Sequence, residues 1–219
     1  MAEGQTDVDF LRRVLPPEVT KDAEFFPAGD SSGIPSLARS LLVRRGAPVA
    51  VFMDSDSLNP AVIEERREST EELIRAAAAS VPVRVVVAVP EIEAWFFAAP
   101  ESIERVLGTK IPDDWVALGK RDPSGVLELL AKHASRQWDT SQAIGALDAH
   151  DVERIRAIPA VSELSNFLRD AELVLTAEDV FYSGEGDKKM PRGAVEAMER
   201  LGMSSSMLYR SALRRGEQA

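Results

Sequence analysis

The stretch Val49-Ala50-Val51-Phe52-Met53-Asp54-Ser55-Asp56 decides the fold of this chain. It begins with an unbroken apolar run, as in a parallel strand that is buried on both faces, and acidic residues follow at once. Residues 83–89 form a second apolar run, rich in valine, which Pro90 separates from Glu91-Ile92-Glu93. Asn59 and Pro60 begin a predicted helix between the two runs. Because strands alternate with helices, we expect right-handed crossovers and a parallel sheet.

The same alternation is predicted on the N-terminal side. Thr6 and Asp9 have the spacing of a capping box, and the apolar residues after them predict a short helix that ends at Pro16-Pro17. Residues 23–27 predict a strand. The apolar spacing from residue 34 onward predicts a helix that Gly46 ends. We therefore expect residues 1–98 to form an α/β core.

Strand patterns disappear after Pro100. Asp122-Pro123 begins a predicted helix, and the apolar spacing in 152–158 and 164–168 predicts two more. We expect residues 99–175 to form a helical extension packed on the core. Residues 176–219 predict a loop and a basic helical tail, with seven Lys/Arg against five Asp/Glu from residue 183 onward.

The composition is that of a soluble globular protein, since 45% of the residues are apolar and 28% are charged. No run approaches the roughly 18 uncharged apolar residues of a transmembrane helix, and the N-terminus lacks the basic and apolar parts of a signal peptide. We therefore expect a cytoplasmic protein without a membrane partner. The net charge of −10 argues against broad attraction to nucleic acid but leaves room for a local basic groove.

Five carboxylates lie where the predicted strands end: Glu3, Asp54, Asp56, Glu91 and Glu93. The carboxyl ends of neighbouring parallel strands face one crevice, so we expect these side chains to converge. Alternate residues of an extended segment point the same way, so each acidic pair would present both carboxylates to one cation. Carboxylates in such proximity repel one another, and a divalent cation relieves the repulsion. The sequence therefore predicts a metal site.

The chain has no cysteine, so the predicted metal ligands are all oxygens, which suits Mg²⁺ or Mn²⁺. Two such ions about 4 Å apart activate a water and stabilise the leaving oxygen in phosphodiester cleavage. Each acidic group also has a plainer interpretation. Asp after a strand is a common turn former or helix cap, and Glu3 alone fits a solvated terminal residue. All three groups together favour the metal site.

Three motifs resemble the TOPRIM domain, and especially the version in OLD-family nucleases and small stand-alone relatives often associated with phage defence. They are Glu3-Gly4-Gln5-Thr6-Asp7, Val51-Phe52-Met53-Asp54-Ser55-Asp56 and Pro90-Glu91-Ile92-Glu93-Ala94-Trp95. Phe25-Phe26-Pro27-Ala28-Gly29 and Ser36-Leu37-Ala38-Arg39 are similar to the second strand and helix of that group. The resemblance implies a TOPRIM-like Rossmannoid parallel sheet flanked by helices and followed by a helical C-terminal lobe.

The resemblance also implies a function, namely Mg²⁺-dependent hydrolysis of phosphodiester bonds in DNA or RNA, in a phage-defence setting. In the family, the glutamate of the first motif and the acidic pair bind metal or act as acid and base. Those roles fall on Glu3, Asp54 and Asp56. The late acidic motif supplements the metal site, and this role falls on Glu91 and Glu93.

The chain departs from that family in two respects. Only Met1 and Ala2 precede Glu3, so we expect either that the true start lies upstream or that the sheet lacks the first strand of the family and Glu3 is poorly fixed. The sequence also has no Gly-x-x-x-x-Gly-Lys-Ser/Thr phosphate loop. Any ATP hydrolysis would therefore belong to a separate ATPase subunit.

Four residues are candidate contacts to phosphate or nucleic acid: Gly4, Lys120, Arg121 and Lys188. Gly4 would permit close approach of the backbone to phosphate, although a plain turn explains it as well. The basic residues also fit a solvated surface. The main alternative function is a non-catalytic TOPRIM-fold subunit of a larger, ATPase-containing complex. A metal-dependent sugar-nucleotide transferase also uses Asp-x-Asp, but the glutamate motifs disfavour it.

Overall fold

A two-stranded parallel sheet flanked by helices forms the centre of the computed structural model, which describes residues 1–183 and 190–203. Strand β1 (Val49–Asp54) pairs with β2 (Val83–Ala88), and Asp54 lies opposite Ala88 at the carboxyl end. The helices are α1 (Gln5–Val14), α2 (Pro17–Thr20), α3 (Ile34–Arg45), α4 (Pro60–Arg75), α5 (Pro100–Leu107), α6 (Asp113–Gly119), α7 (Pro123–His133), α8 (Thr140–Ala146), α9 (Ala149–Arg156), α10 (Pro159–Ser183) and α11 (Arg192–Arg200). Two 3-10 helices cover Ser31–Gly33 and Ile92–Ala98. The structure is thus mixed α/β, and the predicted strand–helix–strand unit is confirmed.

The first residues of the chain extend the sheet beyond β1. The Met1 nitrogen donates to the Ala50 carbonyl at 2.8 Å, and the Phe52 N–H donates to the Met1 carbonyl at 2.8 Å. On its other side, Ala2 forms a parallel bridge with Pro27. The expectation that Glu3 is poorly fixed is therefore wrong, because the backbone before it is hydrogen-bonded on both sides.

The predicted strand at 23–27 is reduced to that single bridge at Pro27. Its two hydrogen bonds run from the Ala2 N–H to the Phe26 carbonyl at 3.1 Å and from the Ala28 N–H to the Ala2 carbonyl at 2.9 Å. The partner segment ends where α1 begins at Gln5. It therefore offers too few backbone groups for a longer ladder.

The start of α4 and the end of α3 agree with the sequence patterns, whereas the start of α1 does not. Asn59 caps α4 by accepting from the Ala61 N–H, and Gly46 ends α3 with a left-handed φ of 61°. At α1, however, the Gly4 N–H donates to Asp7 Oδ2 at 2.8 Å. The capping box predicted for Thr6 and Asp9 is therefore wrong, because the helix begins two residues earlier than that pattern requires.

The two faces of the sheet are buried in different hydrophobic clusters. Phe52 and Val86 belong to a cluster that continues through the 3-10 helix Ile92–Ala98 into helices α5 to α9 and the start of α10, which we call the helical lobe. Val51 and Val85 belong to a second cluster under α3 and α4. Burial on both faces explains why these strands are continuously apolar.

The far end of the chain contributes two packed helices. Helix α10 runs without a break across residue 175, where a boundary was predicted, and α11 packs against it through Val174, Ala197 and Met198. The loop that contains Lys188 and the tail after residue 203 lie outside the described residues. Within the described part of the chain, no helix is both long enough and apolar enough to cross a membrane.

Candidate functional site

Four carboxylates gather at the carboxyl end of the sheet: Glu3, Asp7, Asp54 and Glu93, which we call the acidic edge. Asp54 is the last residue of β1, and its backbone N–H donates to Glu3 Oε1 at 3.3 Å. Asp7 and Glu93 are close enough for their charges to act on Asp54. The predicted convergence of strand-end carboxylates is therefore found for three sequence-predicted residues, and Asp7 joins them.

Asp54 is the most strongly perturbed member of the acidic edge. Burial, together with the negative charges of Asp7, Glu3 and Glu93, raises its pKa to about 8. The Ile92 N–H donates to Asp54 Oδ1 at 2.9 Å and opposes part of this rise. The ionised form is thus disfavoured near neutral pH unless a positive charge compensates it.

The pKa values of the other three members of the acidic edge are also raised. Burial is the first cause of the raised pKa of Glu3, of Asp7 and of Glu93, and neighbouring carboxylates add to it for Glu3 and Glu93. Arg66 is a cation that acts in the opposite direction, lowering the pKa of Glu3. The acidic edge therefore carries more negative charge than its protein surroundings neutralise.

Asp56 is placed differently from Asp54. Strand β1 ends at Asp54, and Asp56 has a φ of 51°, so the backbone has left the extended conformation in which alternate side chains align. Asp56 instead pairs with Arg66 at 2.8 Å, and Arg66 also donates to the Ser55 carbonyl at 2.9 Å. Asp56 still contributes to the raised pKa of Glu3, so it borders the acidic edge.

Glu91 and Glu93 are each tied to the helical lobe. Glu91 Oε1 accepts from the Ser124 N–H at 2.9 Å and from the Ser124 hydroxyl at 2.5 Å, in the first turn of α7. Glu93 Oε1 accepts from the Thr140 hydroxyl at 3.5 Å, at the start of α8. Glu93 acts on Asp54, whereas Glu91 acts on Glu93. The helical lobe thus holds both glutamates, with Glu93 the nearer to the strand end.

The predicted phosphate contacts that fall within the described residues lie beside this edge rather than in it. The N–H of Gly4 is already bonded to Asp7. Lys120 and Arg121 are exposed between α6 and α7, directly before Ser124, which contacts Glu91. Lys188 lies outside the described residues. A basic pair therefore flanks the glutamate side of the acidic edge.

Sequence reasoning missed Asp7 and Arg66. Asp7 had a readable signal, since it lies three residues after Gly4 and accepts from its N–H as a capping residue at the start of α1. Arg66 had none, because it lies in the middle of α4 and reaches Asp56 only through the fold of the turn between β1 and α4.

The acidic edge has the donor chemistry of a site for a hard divalent cation, but not a finished ligand set. All its donors are carboxylate oxygens, which Mg²⁺ and Mn²⁺ prefer. In the described residues, no three acidic or histidine side chains are arranged to hold a metal ion. Glu3 and Asp54 each use one oxygen to accept a backbone N–H. Ion binding therefore requires these side chains to turn toward one another.

Comparison with known proteins supplies a family but no activity. No curated protein and no solved structure matches the chain. A family described as a domain of unknown function, DUF4276, matches residues 2–169. The matched region contains the sheet, the acidic edge and most of the helical lobe, and it covers well over half of the sequence. The chain therefore belongs to the DUF4276 family.

Proposed function

We propose that this protein is a Mg²⁺- or Mn²⁺-dependent nuclease of TOPRIM type that hydrolyses phosphodiester bonds of DNA or RNA, with a role in phage defence. The observation that carries the proposal is the state of Asp54. Three carboxylates and burial raise its pKa to about 8 at the end of a parallel strand. Titratable groups perturbed in this way concentrate at functional sites.

The arrangement of the chain around Glu3 supports the TOPRIM assignment. The segment before Glu3 lies between Pro27 and β1, and β1 is followed by β2, all in parallel hydrogen bonding. The Glu-Gly motif, the aspartate motif and the late glutamate motif thus reach one edge of one sheet. Their common position supports the proposal.

Glu3, Asp54 and Glu93 are the proposed ligands, and Asp7 adds negative charge beside them. When bound there, Mg²⁺ would supply a Lewis acid for a phosphate oxygen and a more acidic water. Glu3 is also the proposed proton carrier, because burial and its acidic neighbours raise its pKa. Lys120 and Arg121 would hold the phosphate backbone beside the glutamates.

A second candidate function is a non-catalytic subunit that keeps the fold and binds a partner, such as a separate ATPase subunit. Specific contacts favour it. Asp56 is paired with Arg66 and Glu91 with Ser124, and the described residues contain no ready-made metal site. A protein of this kind would show no stabilisation by divalent cations.

Two measurements on the full chain test the proposal. Mg²⁺ or Mn²⁺ should raise the melting temperature, since a ligand at about 100 times its Kd stabilises a protein by about 2.7 kcal/mol. The same ions should support nicking of supercoiled plasmid. Asp54→Asn should abolish both effects, whereas Glu24→Gln, an exposed carboxylate at the other end of β1, should leave them unchanged. A wild-type protein with neither effect would favour the non-catalytic subunit.

A further inference from the structure

Helix α3 presents a polar and basic face to solvent. Its members recur at the three- and four-residue spacings that place side chains on one side of a helix. With Ala77, two residues after the end of α4, they line a shallow groove of about 340 Å³, which we call the α3 groove. Its lining residues are Ser36, Arg39, Ser40, Val43, Arg44 and Ala77.

The charge of the α3 groove is opposite to that of the protein. The chain carries a net charge of −10, yet the groove is lined by two arginines, two serines and no carboxylate. Arg39 is exposed and makes no ion pair within the described part of the chain. A basic groove on an acidic protein favours an anionic ligand.

The groove begins near the acidic edge. The Gly29 N–H donates to the Glu3 carbonyl at 2.9 Å, and Gly33 packs so closely on the Ala28 carbonyl that an added Cβ would lie 2.9 Å from it. Helix α3 starts at the next residue. From Ser36 to Arg44 the helix then rises by roughly 12 Å along the flank of the sheet. The first lining residue of the groove, Ser36, thus lies three residues after Gly33, close in sequence to the segment that is hydrogen-bonded to Glu3.

We propose that the α3 groove binds the phosphodiester backbone of nucleic acid and guides it to the acidic edge. This inference rests on the proposed function for the fate of the bound strand, but the binding itself is a separate property. The guanidinium groups of Arg39 and Arg44 contact phosphates, and the hydroxyls of Ser36 and Ser40 donate to phosphate oxygens. Because these contacts are made to phosphates alone, we expect binding without preference for base sequence.

Salt dependence provides the quantitative test. Each phosphate contact releases condensed counterions, so the slope of log K against log salt changes by about 0.9 per contact on duplex DNA. Binding of fluorescent single-stranded and duplex oligonucleotides to the full chain, without divalent ions, should therefore weaken steeply as salt rises. Arg39→Ala/Arg44→Ala should lower the slope by about 2 and Arg39→Ala alone by about 1.

The matched control is Arg169, an exposed arginine on α10 far from α3 in sequence. Arg39→Glu and Arg169→Glu change the net charge equally. Arg39→Glu should weaken oligonucleotide binding at low salt more than about 10-fold, whereas Arg169→Glu should change it less than about 2-fold. Thermal melts should match wild type for every variant. Equal losses in the two charge-reversal variants, or an unchanged slope in the double alanine variant, would overturn the proposal.

The outcomes separate this inference from the nuclease proposal. A wild-type protein that binds oligonucleotide through Arg39 and Arg44 but never cleaves it supports the α3 groove and refutes the nuclease. Metal-dependent cleavage with binding unchanged in Arg39→Glu refutes the groove alone. Inorganic polyphosphate and anionic vesicles serve as competing sources of phosphate. Binding of either one in the absence of oligonucleotide binding would also overturn the groove as a nucleic-acid site.

Discussion

The two ends of β1 differ in what they hold. At the carboxyl end, carboxylates raise one another's pKa, and Asp54 is brought to about 8. At the amino end, Val49 and Ala50 line a cavity of about 410 Å³ among mainly apolar side chains of α1, α3 and α10. The acidic residues there are neutralised by partners, as Glu24 is by Arg45 at 2.5 Å. One end thus gathers carboxylates, and the other holds a mainly apolar cavity whose acidic residues are paired.

This difference shows why volume alone is a poor guide to the site. A well-formed apolar pocket is the usual first hypothesis for a ligand site, but it also needs a few convergent polar groups. At the amino end such groups are engaged in ion pairs, including Glu172 with Lys21 at 2.7 Å. At the carboxyl end they are concentrated and unneutralised, because parallel strands deliver their following residues to one edge. The proposed chemistry is therefore placed at the carboxyl end.

Among the variants that compare the two ends while leaving Asp54 in place, the largest expected effect comes from removing the charge of Asp7. Asp7→Asn keeps an oxygen that can accept the Gly4 N–H, so the start of α1 stays capped, but it removes a charge that acts on Asp54. We expect the affinity for Mg²⁺ and the rate of cleavage each to fall by about 10–100-fold. Titration of melting temperature with Mg²⁺ and plasmid nicking measure both.

Glu24→Gln is the control at the amino end, where it breaks the exposed ion pair with Arg45. It should change neither readout, because exposed pairs contribute about 0–1 kcal/mol and lie away from the site. If Asp7→Asn behaved like Glu24→Gln, the acidic edge would be a group of solvated carboxylates and the contrast between the two ends would lose its functional meaning.

The sequence specified the carboxyl end well in outline. An apolar run followed by an acidic pair predicts a buried parallel strand and its end, and β1 stops at Asp54 as expected. It also placed Glu93 beside Asp54, because sheet geometry alone brings successive strand ends together. The position of Glu3 was harder, since two residues cannot be recognised as part of a ladder from their pattern. Their hydrogen bonds to residues 26–28 and 50–52 are tertiary contacts.

Sequence patterns could not predict which side chains pair with one another across the fold. Asp56 left the predicted alignment because the turn after β1 adopts a left-handed φ and Arg66 of α4 pairs with it. Glu91 accepts a hydrogen bond from Ser124, which lies thirty-three residues away in the sequence. Local periodicity carries no information on such pairs, since they depend on how the helical lobe docks on the sheet. Asp7 was the one omission that local capping rules cover.

A smaller effect is expected on stability as a function of pH. The Asp54 carboxyl has an ordinary pKa near 3.8 when unfolded and about 8 when folded. Between these values the folded state holds a proton that the unfolded state has lost, so the metal-free protein loses stability as pH rises through this window. Asp54→Asn should remove that loss and raise the melting temperature above wild type at pH 8 to 9, by a few degrees.

Melting curves of metal-free protein from pH 5 to 9 check this, with about 2–4 °C corresponding to 1 kcal/mol for a chain of this size. Glu24→Gln should follow the wild-type profile, because its carboxylate is exposed and already paired. Added Mg²⁺ should stabilise wild type more at pH 8 than at pH 6, since the ion competes with the proton on Asp54. A wild-type profile parallel to that of Asp54→Asn would contradict the burial and repulsion assigned to the carboxyl end.

The smallest effect should come from filling the cavity at the amino end. Ala50 lines it from β1, so Ala50→Val adds apolar volume there and also favours the strand, for a gain of about 0.5–1 kcal/mol. Ala88→Val is the matched change at the carboxyl end of β2, where the side chain is fully buried and lines neither cavity described above. That variant should lose stability, because the added methyl groups must displace packed neighbours. Urea denaturation at unchanged m-value measures both signs. Equal losses in the two variants would show that the amino end is packed as tightly as the carboxyl end, and the difference between them would then reside in charge alone.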